Sequence, residues 1–448
     1  MLAWILDFFI HIETYKSIEK LFDIDGVFMK NWFTKKTTRF SEFLWNILGS
    51  GFFAVQAALI LTVISRKYDI ETAGMVTFAY AFAVLIYAVS RWGMRNYQAS
   101  DLDEKFSFRN YLGARVISCL IAILITFVFL AIQFASGNYA IDKLHIILGI
   151  AILKVIDAFE DVILGRLQQK DIFIAAAKMM AIHQIAVTAM IMLLAWFAIP
   201  IQFLFYFADA FAVLLMLGLI WLTRPLLSDT HEAISRRTVF TLLKECMPLN
   251  IGIALSVYVS NIPKYAIDMY MSEEVQAILG YIMLPVFVVT LVSQFLYQPF
   301  IRELAYFWES GQLRRLYKKM LTQIAWILGC TVLVLVGCWV IGLQILSWMY
   351  HVNLLDYKMI FTIFLGGGAL YALAFYLNVL LTITRCQHSI AIGYLLATAV
   401  ALLSQKTMAD RFGVSGIAWL YLVVNAVMFL VFIVTLLWTF RKRSKQVQ

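Results

Sequence analysis

Long apolar stretches, separated by short polar segments, fill the chain from residue 40 to residue 440. Each is about as long as the roughly 20 residues that a helix needs to cross the hydrocarbon core of a bilayer. They predict about twelve transmembrane helices, at residues 40–64, 72–94, 112–135, 141–164, 172–198, 202–222, 246–270, 276–300, 319–343, 358–380, 385–405 and 413–440. The pattern therefore predicts an all-α integral membrane protein without an inserted soluble domain.

Composition agrees with this prediction, since 62% of the residues are hydrophobic and only 14% are charged. Lys and Arg collect in alternate connections, and such connections face the cytoplasm in multi-pass proteins. This asymmetry predicts a protein of the cell membrane with both termini in the cytoplasm. The net charge of +9 is then explained by the anionic inner leaflet, without a nucleic-acid partner.

Two stretches suggest an internal duplication. WNILGSGFFAVQ resembles MPLNIGIALSVY, matching Asn46 to Asn250, and DIETAGMVTFAYAF resembles SEEVQAILGYIMLPVF, matching Gly74 to Gly280. Six helices is an even number, so the repeats would be parallel and would form two six-helix lobes around a central cavity. The predicted division is an N-lobe at 40–222, a cytoplasmic linker at 223–245, a C-lobe at 246–440 and a basic cytoplasmic tail at 441–448. The alternative is that any two helical hairpins look alike at this hydrophobicity.

Residues 1–39 precede the first predicted span and do not fit the transmembrane pattern. Apolar residues such as Ile5, Phe8 and Ile12 recur at helical spacing, which predicts an amphipathic helix on the inner membrane surface. The alternative is that translation starts at Met29.

The fourth predicted span carries the densest set of charges, Lys154, Asp157, Glu160 and Asp161. Lys154, Asp157 and Asp161 project from one helical face. Charges at the bilayer centre are expensive, so this face is expected either to line a hydrated interior or to form a salt-bridged seam between helices.

The seventh predicted span contains SNIPKYAIDMY, in which Asn261, Lys264 and Asp268 share a face. Pro263 removes a backbone donor within this helix, and Pro285 does so in the next one, so both are candidate hinges. Asp268 is close to the predicted outer surface, where a solvated helix end is an alternative.

Arg91 lies about one turn from the inner end of the second span, where an arginine either faces a cavity or extends to the surface. Arg95 and Arg115 are predicted to be inner-surface charges. His183 and Asp209 are isolated in the sequence and are predicted to be local hydrogen-bonding groups.

Motifs for catalysis are missing from the sequence. There is no GxxxxGK[ST], no HExxH, no Cys/His metal spacing and no serine elbow. The sequence therefore predicts a transporter rather than an enzyme, with no cofactor and no metal site.

Four stretches resemble a known family. GMRNYQASD (93–101), KVIDAFEDVILGRLQQ (154–169), NIPKYAIDMYMSEEVQAILGYIMLPVFV (261–288) and QPFIREL (298–304) are similar to segments of polysaccharide (Wzx-like) flippases of the multidrug/oligosaccharidyl-lipid/polysaccharide exporter superfamily, in the form found in Gram-positive bacteria. The resemblance runs from about Trp45 to the C-terminus. Twelve helices fit this branch, whereas the related lipid II flippases have two more.

The resemblance implies that a lipid-linked oligosaccharide on an undecaprenyl pyrophosphate-type anchor moves from the inner to the outer leaflet by alternating access. It also makes a polysaccharide polymerase and glycosyltransferases plausible partners. The candidate substrate-binding residues are Arg91, Lys154, Asn261 and Lys264. The candidates for charge pairing or for binding a coupling proton or sodium ion are Asp157, Glu160, Asp161 and Asp268. The alternatives are a cation-coupled multidrug exporter of the same superfamily and a membrane-embedded transferase.

Overall fold

The computed structural model describes residues 32–33, 39–101, 104–227 and 234–447, and within these ranges the chain is helical with no β-strand. The main helices are α1 (Arg39–Lys67), α2 (Ile70–Arg91), α3 (Met94–Ser100), α4 (Phe108–Ala135), α5 (Ile141–Gln169), α6 (Phe173–Trp196), α7 (Ile201–Thr223), α8 (Arg236–Tyr270), α9 (Glu273–Tyr297), α10 (Ile301–Glu309), α11 (Leu313–Gly337), α12 (Leu343–Tyr350), α13 (Lys358–Ile383) and α14 (Gln387–Val447). The predicted amphipathic helix lies almost wholly outside the described residues.

The predicted all-α membrane architecture is confirmed. Ten helices of the described residues are long and apolar enough to span a bilayer. Helix α5 covers the predicted span 141–164 but contains too many charges to qualify by hydropathy. The last two predicted spans both lie in α14, which consists of two helices joined by a kink at Gly413, where the backbone takes φ 56° and ψ −139°.

Among the helix boundaries that differ from the sequence prediction, two have a clear local cause. Helix α8 begins at Arg236, ten residues before the predicted span, because Ser235 caps it by accepting a hydrogen bond from the backbone N–H of Thr238. Helix α2 ends at Arg91 because Trp92 and Gly93 both adopt left-handed backbone conformations. The chain therefore turns between Arg91 and Arg95, and α3 starts in a new direction.

The helices of each half pack mainly on one another. In the first half α1 packs on α6, and α5 contacts α2, α4 and α7; in the second half α13 and α8 both pack on α14, and α9 packs on α13. The halves meet where α2 contacts α8 and α9 and where α4 contacts α8. We call the ends of the helices inner and outer after the predicted orientation, in which α1 runs outward.

The glycines matched by the proposed duplication both lie where α2 and α9 pack. A Cβ atom on Gly74 would overlap the carbonyl oxygen of Glu273, and one on Gly280 would lie 2.5 Å from Oγ1 of Thr77. Only glycine permits so close an approach of two helix backbones. The two positions that the sequence comparison matched therefore both lie in the contact between the halves.

Candidate functional site

Three arginines converge on one carboxylate near the inner end of the first half. Arg91 Nε lies 3.0 Å from Oδ2 of Asp161, Arg95 Nη1 lies 2.8 Å from Oδ1, and Arg115 Nη2 lies 3.3 Å from Oδ2. Arg115 also donates from Nη1 to the carbonyl oxygen of Ser90 at 2.7 Å. Three guanidinium groups against one carboxylate leave an excess of two positive charges, so the cluster is electrostatically suited to an anion.

The arginines of this cluster differ in exposure. The side chain of Arg115 is 0% exposed, whereas Arg95 is 24% and Arg91 is 32% exposed. Arg115 therefore holds Asp161 from within the protein, and Arg91 and Arg95 present guanidinium surface to a ligand. The prediction that Arg95 and Arg115 are inner-surface charges is wrong, because the turn at Trp92 and Gly93 brings Arg95 back onto α5 and because Arg115 lies on the buried side of α4.

A second network surrounds Lys154, which lies about two helical turns from Asp161 and nearer the centre of α5. Its ammonium group lies 2.8 Å from Oδ2 of Asp157 and donates to Oε1 of Gln56 at 2.7 Å. Gln184 donates to the other oxygen of Asp157 at 3.0 Å. With Glu160 and Asp161 also buried, the charged face of α5 forms a salt-bridged seam, and the alternative of a hydrated face is wrong for this conformation.

Aromatic side chains connect the two networks. The Arg91 guanidinium lies over the ring of Tyr87, with 5.2 Å between Cζ and the ring centroid, and Lys154 Nζ lies 4.4 Å from the centroid of Phe53. The rings of Phe53 and Tyr87 are 5.1 Å apart. Phe53, Tyr87 and Arg91 are each partly exposed, so they form one continuous surface. Arg91 lies at one end of this surface, and Phe53 at the other end covers the buried Lys154; the aromatic faces stabilise both cations.

The predicted isolation of His183 is wrong. Its Nδ1 contacts Oε2 of Glu160 directly and lies 3.7 Å from Oδ1 of Asp157. One ligand atom each from Asp157, Glu160 and His183 lies within 4.8 Å of the others, and all three residues are buried. Such a spacing of ligand atoms is typical of a metal site, although no sequence motif indicated one. The Lys154 ammonium already lies on Asp157, which disfavours a metal cation there.

Asp209 on α7 is a further buried carboxylate, and in the described part of the chain neither of its oxygens has a hydrogen-bond partner. Oε1 of Glu160 also lacks one. Buried acids without donors are costly when ionised. Both positions are therefore suited to taking up protons.

The second half contributes Lys264, on the part of α8 that lies between the halves. Its side chain is partly exposed, whereas Ile262, Pro263, Ala266 and Ile267 around it are buried. Within the described residues its ammonium group has no ion pair or hydrogen-bond acceptor. A lysine of this kind is available to a ligand.

The other second-half candidates are placed as follows. Asn261 is partly exposed and donates to the carbonyl oxygen of Val257 at 3.0 Å. Pro263 and Pro285 are buried within α8 and α9. Their role as hinges stays a prediction.

Asp268 belongs to an ion-pair cluster at the outer end that joins the halves. Lys143 at the start of α5 lies 2.5 Å from both Oδ1 of Asp268 and Oε1 of Glu273. The hydroxyl of Tyr139 donates to Oδ2 of Asp268. The Asp268 side chain is 2% exposed, so the alternative of a solvated helix end is wrong.

Contacts between the halves at the inner end are more exposed. Glu245 on α8 lies 3.0 Å from Nζ of Lys105 and accepts a hydrogen bond from the hydroxyl of Tyr97. Trp92 Nε1 donates to the carbonyl oxygen of Leu243 at 2.9 Å. Because Lys105 is 58% exposed and Glu245 is 34% exposed, water screens this pair and it is weak.

Comparison with solved structures shows which proteins share this fold. A lipid II flippase, MurJ, in an inward closed conformation aligns with a TM-score of 0.66 at 13% identity, over 90% of this chain and 89% of its own. An inward-facing multidrug resistance MATE family transporter of the MOP superfamily aligns with a TM-score of 0.62 at 14% identity, over 88% of this chain and 95% of its own. The chain has the fold of a MOP superfamily transporter.

The MOP fold is also shared with an outward-facing multidrug resistance MATE family transporter, with a TM-score of 0.55 at 13% identity over 90% of this chain and 94% of its own. No protein-family model matches the chain. No curated protein matches it in sequence.

Proposed function

We propose that the protein is a flippase that moves a lipid-linked oligosaccharide, on an undecaprenyl pyrophosphate-type anchor, from the inner to the outer leaflet of a bacterial cell membrane. The observation that carries the proposal is the excess of two positive charges where Arg91, Arg95 and Arg115 share Asp161. A transporter of lipophilic cations has no use for such an excess, whereas a pyrophosphate needs it to leave water. The fold shared with a lipid II flippase supports the same class of substrate.

In this mechanism the pyrophosphate first binds Arg91, near the inner end of the first half, and then Lys264, near the outer end of the second half. The exposed rings of Tyr87 and Phe53 lie beside the head group, and the lipid tail stays in the bilayer. Lys154 stays paired with Asp157 while the site is empty and becomes a further partner when the halves rearrange. Outward movement of negative charge also runs with an inside-negative potential, worth about 2.3 kcal/mol per charge per 100 mV.

Alternating access requires that the outer contacts break while the inner contacts form, and then the reverse. The buried outer cluster of Lys143, Asp268 and Glu273 and the exposed inner contact of Lys105 with Glu245 are the polar elements that change. Both sets of contacts are formed in the structure, and the burial of the outer cluster supports a state closed at the outer end.

The experiment that tests the proposal is deletion of the gene followed by extraction of lipid-linked oligosaccharides from inverted and right-side-out membranes. We expect complete repeat units to accumulate on the cytoplasmic face and re-expression to relieve the accumulation. A normal distribution of these lipids contradicts a flippase, and loss of the completed unit indicates an enzyme.

A second candidate function is cation-coupled drug export, because Glu160, His183 and Asp209 are buried and ionisable, and oxygens of Glu160 and Asp209 lack hydrogen-bond partners in the described part of the chain. The same group would serve proton coupling in a flippase. Drug sensitivity of the deletion strain with intact surface polysaccharide would favour the exporter. In either case Glu160→Gln should remove transport driven by a pH gradient in proteoliposomes. Asp171→Asn, at an exposed position outside the group, is the control for loss of a carboxylate in the same half.

A further inference from the structure

A cavity of about 460 Å³ opens at the inner end of the first half, between α1, α3, α5 and α6. Its polar lining consists of Glu42 and Asn46 from α1, Arg95 from α3 and Gln168 from α5. Phe43 and Phe173 belong to its apolar lining. The cavity is separate from the surface formed by Phe53, Tyr87 and Arg91, but Arg95 connects the two through Asp161.

The polar groups of the cavity match a phosphate. Arg95 donates to Asp161 through Nη1 and to Gln168 through Nε, the latter at 3.5 Å, and in the described part of the chain its Nη2 has no partner. The side-chain amides of Asn46 and Gln168 add donors. The charges of Arg95 and Glu42 within the cavity balance, and the positive potential that favours an anion comes from the adjacent cluster, in which three arginines share Asp161.

The apolar groups place the mouth of the cavity at the bilayer. Phe43 is 56% exposed and Phe173 is 47% exposed, and exposed aromatic side chains on a membrane-spanning bundle face hydrocarbon or the interface. Ala177 and Met180 line the interior. A ligand can therefore place a charged group on Arg95 while its hydrocarbon remains between Phe43 and Phe173.

We propose that this cavity is the loading site for the lipid pyrophosphate of the substrate at the inner leaflet. The pyrophosphate binds Arg95, Asn46 and Gln168, the first isoprene units pack on Phe43 and Phe173, and the Glu42 carboxylate accepts a hydrogen bond from a hydroxyl of the first sugar. This inference rests on the proposed function and adds the place where the substrate leaves the inner leaflet.

The geometry also provides a route from loading to transport. Arg95 and Arg91 hold the two oxygens of the same carboxylate, Oδ1 and Oδ2 of Asp161. A pyrophosphate on Arg95 is therefore one carboxylate away from Arg91, which belongs to the surface formed with Phe53 and Tyr87. When the anion passes from Arg95 to Arg91, Asp161 can pair with whichever arginine the anion has left. The anion thus moves toward Tyr87 and Phe53 without leaving a guanidinium unpaired.

The test is calorimetric titration of the full-length protein in nanodiscs of zwitterionic lipid with geranyl pyrophosphate, inorganic pyrophosphate and geraniol. We expect geranyl pyrophosphate to bind at least tenfold more tightly than either fragment. Arg95→Gln should weaken it about tenfold, and Ala177→Phe, which fills the cavity without touching a charge, should do the same. Arg109→Gln at the start of α4 and Ala131→Phe on its exposed surface are the matched controls and should bind as the wild type does.

Wild-type affinity in both Arg95→Gln and Ala177→Phe would overturn the loading site, as would equal affinities for inorganic and geranyl pyrophosphate, which indicate a free anion. The failure of the flippase proposal is distinct. Cavity-dependent binding together with a normal lipid distribution in the deletion strain would support the loading site and contradict the flippase function. Accumulation of lipid-linked oligosaccharides on the cytoplasmic face of the deletion strain, with unaffected binding in both variants, would support the flippase function and contradict the loading site.

Discussion

The ammonium nitrogen of Lys143 lies 2.5 Å from a carboxylate oxygen of Asp268, and this ion pair joins the two halves of the protein at the outer end. Glu273 accepts from the same ammonium group, and Lys143 Nζ also lies 3.9 Å from the centroid of the Tyr139 ring. Little of Lys143 or Asp268 reaches solvent. In the proposed mechanism, opening of the outer end separates these charges, so the cluster contributes to the free-energy difference between the outer-closed and outer-open states.

We therefore expect Lys143→Met to favour the outer-open state. Removing one member of a buried ion pair costs about 3–5 kcal/mol because its partner stays buried and uncompensated. Opening hydrates Asp268 and Glu273 and relieves that cost. The measurement is the labelling rate of Asn261→Cys, seven residues or about 10 Å further into the membrane than Asp268, by an impermeant maleimide applied from outside to protein without its native cysteines.

Lys143→Arg keeps the charge and should label slowly, as the parent does. Exchange of the partners in Lys143→Asp with Asp268→Lys should restore slow labelling at least in part. If Lys143→Met labels no faster than the parent, the ion pairs do not hold the outer end closed.

Substitutions of the arginines around Asp161 should differ in whether they lower the stability of the protein or its transport activity. Arg115 is 0% exposed, so Arg115→Gln removes buried charge pairing and the bond to Ser90, and we expect a lower melting temperature and a lower protein level. Arg91 is 32% exposed, and in Arg91→Gln two arginines still hold Asp161. We expect that variant to melt within a few degrees of the wild type and to lose transport.

Fluorescence-monitored melting and complementation of the deletion strain measure the two effects. Arg109→Gln, at a partly exposed position outside the cluster, is the control for loss of an inner arginine. Full complementation by Arg91→Gln would contradict its role in binding the anion.

The two candidate lysines should also behave differently. Lys264→Ala removes a cation that has no partner among the described residues, so we expect normal protein levels and no complementation. Lys154→Ala leaves Asp157 without the ammonium group that lies 2.8 Å from it and should lower the protein level as well as activity. Lys264→Arg is the charge-retaining control, and complementation by Lys264→Ala would exclude this lysine from substrate binding.

Much of the fold can be predicted from hydropathy, because backbone groups in a bilayer must bond within helices and the length of a span is fixed by the bilayer. The charges of α5 can be found in the sequence because Lys154, Asp157, Glu160 and Asp161 are conspicuous in an apolar segment. Their partners cannot be found in this way. Gln56 and Gln184 come from helices whose neighbours are set by tertiary packing, which helical periodicity does not encode.

The contacts of the arginine cluster with Asp161 also could not be predicted from the local sequence. Arg95 and Arg115 stand near the predicted inner surface, where a basic residue ordinarily interacts with lipid head groups. The turn at Trp92 and Gly93 directs Arg95 back to α5, and a left-handed Trp has no clear sequence signal. The sequence likewise predicts that Lys143 is a charge at the outer surface. Its acidic partners Asp268 and Glu273 come from the other half of the chain, so the local sequence does not indicate them.

The contact between the halves offers a last prediction that involves no charge. A Cβ atom on Gly74 would overlap the carbonyl oxygen of Glu273, in a helix backbone that cannot move aside without separating α2 from α9. We expect Gly74→Ala to lower the free energy of unfolding by about 1–3 kcal/mol, the usual cost of forcing atoms into a packed interface. Gly280→Ala should act in the same direction through Thr77.

Gly218→Ala in α7 is the matched control, because nothing lies within 4 Å of a Cβ atom at that position. In a helix alanine is preferred over glycine, so this control should melt at or above the temperature of the wild type. Since Gly74 packs on Glu273 itself, Gly74→Ala should also disturb the bonds of Lys143 and accelerate outside labelling at position 261. Reduced stability without faster labelling would mean that the helix contact and the outer ion pairs act independently in closing the outer end.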